Sequence, residues 1–206
     1  MIIALDVQHS GRVSRPRDLG ASADIDGDSL KELHESEALW TPFYALFAQM
    51  RLLELGHTVY PISDGEYSER HRRVNRYNAD VYIACHLNAG SVAQNGKRRQ
   101  PYSAVFYDFR SKPERGLALA EAIDSRLGRI EEIGGNRRIW ATSTKDWRRN
   151  AHYTIKGVKA VAICYEPLFI DATAHHALFT FEGMRQIGHA LAEGIHAWAA
   201  QKGAAS

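Results

Sequence analysis

Three side chains that could take part in metal or acid–base chemistry each follow a short apolar run of the sequence. His9 follows the N-terminal run, His86 ends the run Val81–Cys85, and Glu166 follows the run 159–165. Short runs rich in β-branched and aromatic residues are typical of buried strands. Sites in open α/β sheets are built at the carboxyl ends of strands. We therefore expect His9, His86 and Glu166 at one edge of a sheet.

A further acidic group precedes the first long apolar segment, where Glu35 and Glu37 lie two residues apart. Two histidines and one carboxylate are a standard protein ligand set for catalytic zinc and leave one coordination position for water or substrate. A second carboxylate can then accept and return a proton. These residue types indicate a metal-dependent hydrolase, although their separation in the sequence defines no motif by spacing alone.

The segments between these residues must position them. In these segments, apolar residues recur either with the period of a helix or in the short runs typical of strands. Apolar spacing predicts a first long helix that ends near Leu55, with a stripe of Leu39, Phe43, Leu46, Met50 and Leu53. Alternation of strands with helices favours an α/β fold, with a twisted, mostly parallel sheet flanked by helices. Residues 136–157 show little periodicity and are expected to form an irregular loop with one short strand. The other predicted strands are 2–5, 58–62, 81–85, 103–107 and 159–165, and the other predicted helices are 68–79, 115–130 and 175–200.

Length and composition are those of an ordinary globular domain. The chain has 206 residues, 45% of them hydrophobic, and a net charge of +2, which fits a single domain over residues 1–206. Cys85 and Cys164 lie in apolar runs and are expected to be reduced and buried. No apolar run approaches the ~18 residues of a membrane span, so we expect no membrane insertion. No signal-peptide pattern follows Met1, which predicts synthesis in the cytoplasm.

Beyond these inferences, several motifs resemble the zinc-dependent N-acetylmuramoyl-L-alanine amidases of the amidase-3 type. That family opens with a strand ending in Asp-x-x-His, similar to Asp6-Val-Gln-His9. It continues with an acidic segment at the head of the first helix, a Gly-aromatic-x-Val turn resembling Gly56-His-Thr-Val59, and a Glu-Arg helix like that at Glu69-Arg70. The most specific parts are the strand that ends in His86-Leu-Asn88-Ala and the strand followed by Glu166-Pro-Leu-Phe-Ile. The resemblance covers essentially the whole chain.

The resemblance implies a role for each candidate residue. His9 and His86 would be zinc ligands, and Glu166 would be the catalytic carboxylate. The acidic ligand has two candidates: the local motif and the apolar stripe of the helix favour Glu35, whereas a gapless count back from Gly56 favours Glu37. We take Glu35 as the ligand, with Glu37 as the alternative, and Zn²⁺ as the cofactor.

The implied function is hydrolysis of the amide between N-acetylmuramic acid and the L-alanine of the peptidoglycan stem peptide. With neither a signal peptide nor a separate wall-binding module expected, the resemblance best suits a monomeric, phage-type endolysin that reaches the wall after release from the cytoplasm. The alternatives are another zinc peptidase acting on stem peptides and an inactive wall-binding relative. A nucleic-acid-binding protein would use the basic segments 70–76 and 97–99, but the chain has no RNP, KH or helix-turn-helix signature. We therefore expect peptidoglycan, and no nucleic acid, as the partner.

Overall fold

A six-stranded sheet forms the centre of the molecule. The computed structural model describes residues 1–23, 36–90 and 101–203. The strand order is β2-β1-β3-β6-β4-β5. The strands β1, β2, β3 and β6 run parallel, β4 is antiparallel to β6, and β5 is parallel to β4. The expected mostly parallel α/β sheet is confirmed. The strands are β1 Ile2–Val7, β2 Thr58–Ile62, β3 Val81–Cys85, β4 Ser103–Tyr107, β5 Arg137–Ala141 and β6 Val161–Glu166.

Helices cover both faces of the sheet, which is why the central strands are continuously apolar. Alternate residues of β1, β3 and β6 contribute to two separate cores. Ile83 packs in the core beneath α1, α3 and α5, whereas its neighbours Tyr82 and Ala84 pack in the core beneath α2 and α4. The helices are α1 Glu37–Glu54, α2 Tyr67–Arg76, α3 Pro113–Leu127, α4 Arg149–Ile155 and α5 Phe181–Gly203, with a 3₁₀ helix at Thr173–Leu178.

Two of the predicted segments differ from the observed elements. Within residues 136–157 the short strand exists as β5, but Arg149–Ile155 forms the helix α4, which the irregular-loop prediction missed. The last predicted helix, 175–200, is divided into the 3₁₀ helix and α5. In the part of the chain that the structure describes, no helix has an apolar stretch long enough to cross a bilayer.

The buried face of α1 is not the apolar stripe expected from the sequence. Leu46 and Met50 are each 50% exposed, and Leu53 is 51% exposed. The buried face instead carries Glu37 and Ala48, together with the other buried residues Thr41, Tyr44, Ala45, Phe47 and Leu52. The prediction was wrong because the large buried side chains of this helix are Tyr44, Phe47 and Leu52, which lie on a different face from Leu46, Met50 and Leu53. The helix is therefore rotated so that its first residue, Glu37, points inward.

Arg70 of α2 belongs to the basic segment 70–76 but does not lie on the surface. Arg70 is fully buried and its guanidinium lies 2.5 Å from Asp6 Oδ1. It also donates to the carbonyl oxygens of Val7, Ser10 and Gly65. A buried charge requires a partner and satisfied donors, and Arg70 has both. Its role is to hold the turn that follows β1.

Candidate active site

The parallel register of the three central strands brings their carboxyl ends to one edge of the sheet. Val7 at the end of β1 is paired with Cys85 of β3, and Cys85 is paired with Tyr165 of β6. The next residues that could do chemistry are therefore neighbours in space: His9 follows β1, His86 follows β3, and Glu166 ends β6. The register of the parallel strands therefore suffices to bring these three residues to the same edge of the sheet, as expected.

The Glu37 carboxylate is the centre of the candidate site. Its Oε1 lies 2.8 Å from His86 Nδ1 and accepts the backbone N–H of Leu87, while its Oε2 accepts the N–H of Ala21. His9 Nε2 lies 3.5 Å from Oε2. Burial raises the pKa of Glu37, but the two histidines and the Ala21 N–H outweigh it and hold the pKa below its usual range. Glu37 is therefore ionised at neutral pH.

His86 is buried and presents one nitrogen without a partner. A carboxylate only accepts hydrogen bonds, so Nδ1 of the neutral ring carries the hydrogen that bonds to Glu37 and Nε2 keeps its lone pair. Nε2 is buried and has no hydrogen-bond partner. Burial lowers the pKa of His86, but the negative charges of Glu37 and Glu166 raise it above its usual value overall. The ring is fixed in turn by Tyr44, whose hydroxyl donates to the His86 carbonyl oxygen at 2.8 Å.

His9 is held at an angle to His86 in a backbone conformation that is uncommon for a residue with a side chain. Its φ is +62°, which places it in the left-handed region, where non-glycine residues are often found at functional sites. The two imidazole rings meet edge to face, with centroids 5.2 Å apart. Arg70, paired with Asp6, donates to the carbonyl oxygens of Val7 and Ser10 on either side of His9 and so holds this turn.

These three side chains fit a divalent metal ion. One ligand atom from each of His9, Glu37 and His86 lies within 4.8 Å of the others. The 3.5 Å between His9 Nε2 and Glu37 Oε2 is close to the roughly 3.4 Å that separates two ligands of a tetrahedral zinc ion at ~2.1 Å bond lengths. The unpartnered Nε2 of His86 is the kind of buried polar atom that a metal satisfies. The donor set of two nitrogens and one oxygen is suited to zinc.

The structure therefore brings together His9, His86 and Glu37, the alternative to the preferred acidic ligand. Glu35 lies outside the described residues, as does the basic segment 97–99. The choice of Glu35 relied on the apolar stripe of α1, which is not the buried face. Glu37 occupies the buried face and contacts both histidines.

Glu166 lies at the end of β6 in a partly exposed position. Burial raises the pKa of this carboxyl group to about 7; the charge that His86 carries when it is protonated opposes the shift, and the negative charge of Glu37 adds to it. Its Oε1 lies 3.7 Å from the thiol of Cys164, which is buried and free, as is Cys85. A carboxyl group with a pKa near neutrality can both take and give a proton at physiological pH.

A cleft of about 690 Å³ opens over these residues. His9, Glu37, His86 and Glu166 all line it, so a bound substrate could reach both the metal-binding residues and the acid–base candidate. A volume of several hundred Å³ is typical of a ligand site. The remaining wall carries basic and aromatic side chains, among them Arg12, Arg15, Tyr67, Tyr153 and Lys156.

Two residues of the site were missed by sequence reasoning. Asp18 Oδ1 lies 3.1 Å from His9 Nδ1, the position of a carboxylate that orients a metal-binding histidine. Gly20 passes so close that a Cβ there would lie 2.5 Å from Glu37 Oε2, and its φ of +68° favours glycine. Both lie in the loop after β1, whose length was the only sequence signal that it belongs to a site.

Comparisons with known proteins agree with this fold. Structures that share the fold along nearly the whole chain include the N-acetylmuramoyl-L-alanine amidase AmiC2 of Nostoc punctiforme, with 18% identity, a TM-score of 0.74 and 97% of each chain covered. The catalytic domain of the amidase CwlV from Bacillus (Paenibacillus) polymyxa var. colistinus has 16% identity and a TM-score of 0.73, covering 97% of this chain and 98% of that one. Cwp6 from Clostridium difficile has 22% identity and a TM-score of 0.75; 94% of this chain matches 28% of it.

A search of curated proteins found no match. A family profile, by contrast, matches residues 3–197, which is nearly the entire sequence and includes every residue of the candidate site. The profile is that of the amidase-3 type, described as N-acetylmuramoyl-L-alanine amidase. The chain therefore belongs to the N-acetylmuramoyl-L-alanine amidase family of the amidase-3 type.

Proposed function

We propose that the protein is a zinc-dependent hydrolase that cleaves the amide between N-acetylmuramic acid and the L-alanine of the stem peptide. The observation that carries the proposal is that, in a member of this amidase family, His9, Glu37 and His86 converge on one point of a cleft that Glu166 also lines. These residues supply the two elements that amide hydrolysis needs, which are an electrophilic centre and a proton carrier.

His9, Glu37 and His86 would hold the zinc ion. When bound there, zinc supplies Lewis-acid chemistry, which polarises a carbonyl group and acidifies water. The protein contributes a prepared set of ligands, because backbone N–H groups and Asp18 already orient Glu37 and His9. Such support from outside the ligand set fixes ligand orientation and raises metal affinity.

Glu166 would carry the proton. As a carboxylate it removes a proton from the attacking water, and as a carboxylic acid it returns that proton to the alanine nitrogen as the C–N bond breaks. A pKa of about 7, raised by burial, suits a group that must act in both directions. The nearby Cys164 thiol is a weak donor to its Oε1 and takes no part in the transfer.

The variant Glu166→Gln tests this role. It keeps the size of the side chain but cannot accept the proton, so turnover of purified peptidoglycan should fall by at least about 10²-fold, the scale of general acid–base catalysis. Zinc content, measured by atomic emission, should remain that of the unmodified enzyme. Near-normal hydrolysis by this variant would contradict the assignment of Glu166.

The bond that is cut separates the proposed activity from its alternatives. Mass analysis of digested peptidoglycan should show free stem peptides with an unmodified L-alanine amino group. A cut within the stem peptide would identify a peptidase, and no cut with retained wall binding would identify an inactive relative. The chelator EDTA should abolish cleavage and added zinc should restore it.

We also propose that the protein acts as a phage-type lysis enzyme, which is made in the cytoplasm and reaches the wall once the membrane is opened. The support is that the amidase family profile occupies residues 3–197, nearly the whole of the sequence. Bacteria that express the enzyme should stay intact until the membrane is permeabilised and should then lyse. Lysis without permeabilisation would show that the protein reaches the wall by another route.

A further inference from the structure

A second groove adjoins the catalytic cleft on the other side of Glu166. It has a volume of about 360 Å³, and Glu166, Asn150 and Ala151 line both spaces. The groove is otherwise lined by aromatic rings and by small polar groups. Among the described residues, its wall includes Tyr102, Phe106, Trp147 and Phe169, together with Asn88, Ala89, Gly90 and Arg148.

Trp147 is the unusual member of this wall. The indole is 58% exposed, whereas Phe106 and Phe169 are buried. It nevertheless packs in a defined way, edge to face against Trp140 with ring centroids 4.9 Å apart and against Phe106 at 5.9 Å. A large apolar surface left open to water in a fixed orientation is a feature of binding sites.

The backbone on both sides of Trp147 is also held. The Asp146 carboxylate accepts the N–H of Arg148 at 2.9 Å and pairs with its guanidinium at 2.6 Å. The same guanidinium donates to the carbonyl oxygen of Ala141 at the end of β5. These contacts fix the turn and therefore the direction of the indole. A ring that is fixed before binding loses little conformational freedom when a ligand stacks on it.

We propose that this groove holds the glycan strand of peptidoglycan, with a sugar ring stacked on Trp147. The inference rests on the proposed function and adds a direction to it: the sugar lies on the aromatic side of Glu166 and the stem peptide on the other side. Sugar rings combine apolar C–H faces, which match aromatic rings, with hydroxyl and acetamide groups, which match amides such as those of Asn88 and Asn150.

Charge distinguishes the two sides. The wall of the catalytic cleft carries Arg15 and Lys156, which suit the carboxylates of a stem peptide, as well as Arg12, which pairs with Asp18 and Glu66. In the aromatic groove, Arg148 is the one basic side chain among the described lining residues, and Asp146 already neutralises it. An uncharged strand therefore fits the aromatic groove better than an acidic peptide does. The scissile amide, which joins sugar to peptide, would lie at Glu166, where the two spaces meet.

The probe for this proposal is oligomers of N-acetylglucosamine, which are uncharged, share the N-acetylated sugar backbone of the glycan strand and contain no bond to a stem peptide that the enzyme could cleave. Titration calorimetry on the zinc-loaded enzyme should show binding, and Trp147→Ala should weaken it by about tenfold or more, as for an aromatic anchor. Trp147→Tyr should retain most of the affinity because it keeps a stacking ring. The matched control is Phe181→Ala, since Phe181 is 64% exposed but is not among the residues lining either space.

Three results would overturn the proposal. They are glycan binding by Trp147→Ala equal to that of the unmodified enzyme, an equal loss in Phe181→Ala, and a quenching of tryptophan fluorescence that Trp147→Ala abolishes but that free stem peptide causes instead of glycan. Failure of the proposed function would give a different result from failure of this proposal. If the enzyme cleaves no amide but glycan binding still depends on Trp147, the proposed function is wrong and the glycan groove stands. Thermal melting of each variant verifies that it is folded.

Discussion

Glu37 is the residue on which the candidate metal site depends. Its two carboxylate oxygens contact both histidines and two backbone N–H groups. A buried acceptor with this many donors around it is ionised and fixed in position. The charge of Glu37 offsets the positive charge of a bound cation, and its fixed position reduces the reorganisation that metal binding requires.

Replacement of either glutamate discriminates between the two acidic candidates. Glu37→Gln should weaken zinc affinity by at least about tenfold, since it removes a charged ligand but keeps its shape. Glu35→Gln should retain the zinc affinity of the unmodified enzyme. Competition with a chromogenic chelator measures both. Loss of zinc in Glu35→Gln with retention in Glu37→Gln would show that Glu35 is the ligand.

At the scale of residues, the sequence predicted the groups at strand ends better than the group at the helix start. His9, His86 and Glu166 follow apolar runs, and strand ends leave little freedom in where such residues lie. The position of Glu37 depends instead on the rotation of α1. That rotation is set by contacts with α5 and the sheet, which hydrophobicity alone does not reveal when the exposed face carries Leu46 and Met50.

At the scale of elements, the position of α1 is fixed by its close contact with α5. A Cβ at Gly188 would lie 2.5 Å from the carbonyl oxygen of Tyr44 and 2.7 Å from Phe47 Cβ. Both contacts are with α1, and the first is with its backbone. A methyl group at this position would therefore clash unless the two helices moved apart. Since α1 also carries Glu37 and Tyr44, this contact connects the packing of two helices to the geometry of the site.

Gly188→Ala should therefore destabilise the protein. Alanine favours a helix over glycine by about 1 kcal/mol, but overpacking at a rigid contact costs roughly 1–3 kcal/mol, and the backbone contact places this site at the upper end. The net expectation is a loss of about 1–2 kcal/mol in the free energy of unfolding in urea. Gly135→Ala is the control, since a Cβ there meets nothing within 4 Å, and it should change stability by less than about 0.5 kcal/mol. Equal stability of the two variants would contradict this view of the helix contact.

The helix α4 shows why some elements escape prediction. It has seven residues, Arg149–Ile155, which is too few turns for a helical period to stand out from a basic, Trp-containing segment. Its stability comes from burial of Ala151 and Ile155 against the sheet. Such short helices form because of tertiary contacts, since isolated helices of this length are unstable in water.

At the scale of the whole molecule, the response to pH includes a buried histidine outside the metal site. His175 is 3% exposed, and its Nδ1 accepts the backbone N–H of Phe169 at 2.9 Å. Burial lowers the pKa of His175 to about 4. In the unfolded chain the same group titrates near 6.5. As the pH falls from about 6.5 to 4, the unfolded state therefore binds a proton that the folded state excludes, and stability falls.

We expect this group to contribute roughly 2–3 kcal/mol to the loss of stability between pH 7 and pH 4.5. His175→Asn retains an acceptor for Phe169 but cannot be protonated, so its stability should fall less over the same interval. Urea unfolding of both proteins at the two pH values measures the difference. Parallel losses in the two proteins would show that His175 is not responsible.

The fold class follows from the alternation of strands and helices, but the direction of β4 does not. Its partner β6 comes about sixty residues later, and the antiparallel pairing of Val105 with Tyr165 is a long-range contact. No local pattern distinguishes a parallel from an antiparallel neighbour when both faces of the sheet are buried. The aromatic groove was missed for the same reason, because Tyr102, Trp147 and Phe169 come from three distant segments.

Strand direction reverses between β6 and β4, and this reversal separates the catalytic cleft from the aromatic groove, which share Glu166 as a common lining residue. Strands β1, β3 and β6 lead to His9, His86 and Glu166, which would act on the scissile bond. The turn at Trp147, packed against Trp140 of β5, carries the ring that would bind the sugar. Glu166 lies where the two spaces meet and lines both of them. Substitutions in β5 and in the turn at Trp147 could change which glycan is bound and leave His9, His86 and Glu166 in place. Glycan recognition and amide hydrolysis can therefore vary separately within one sheet.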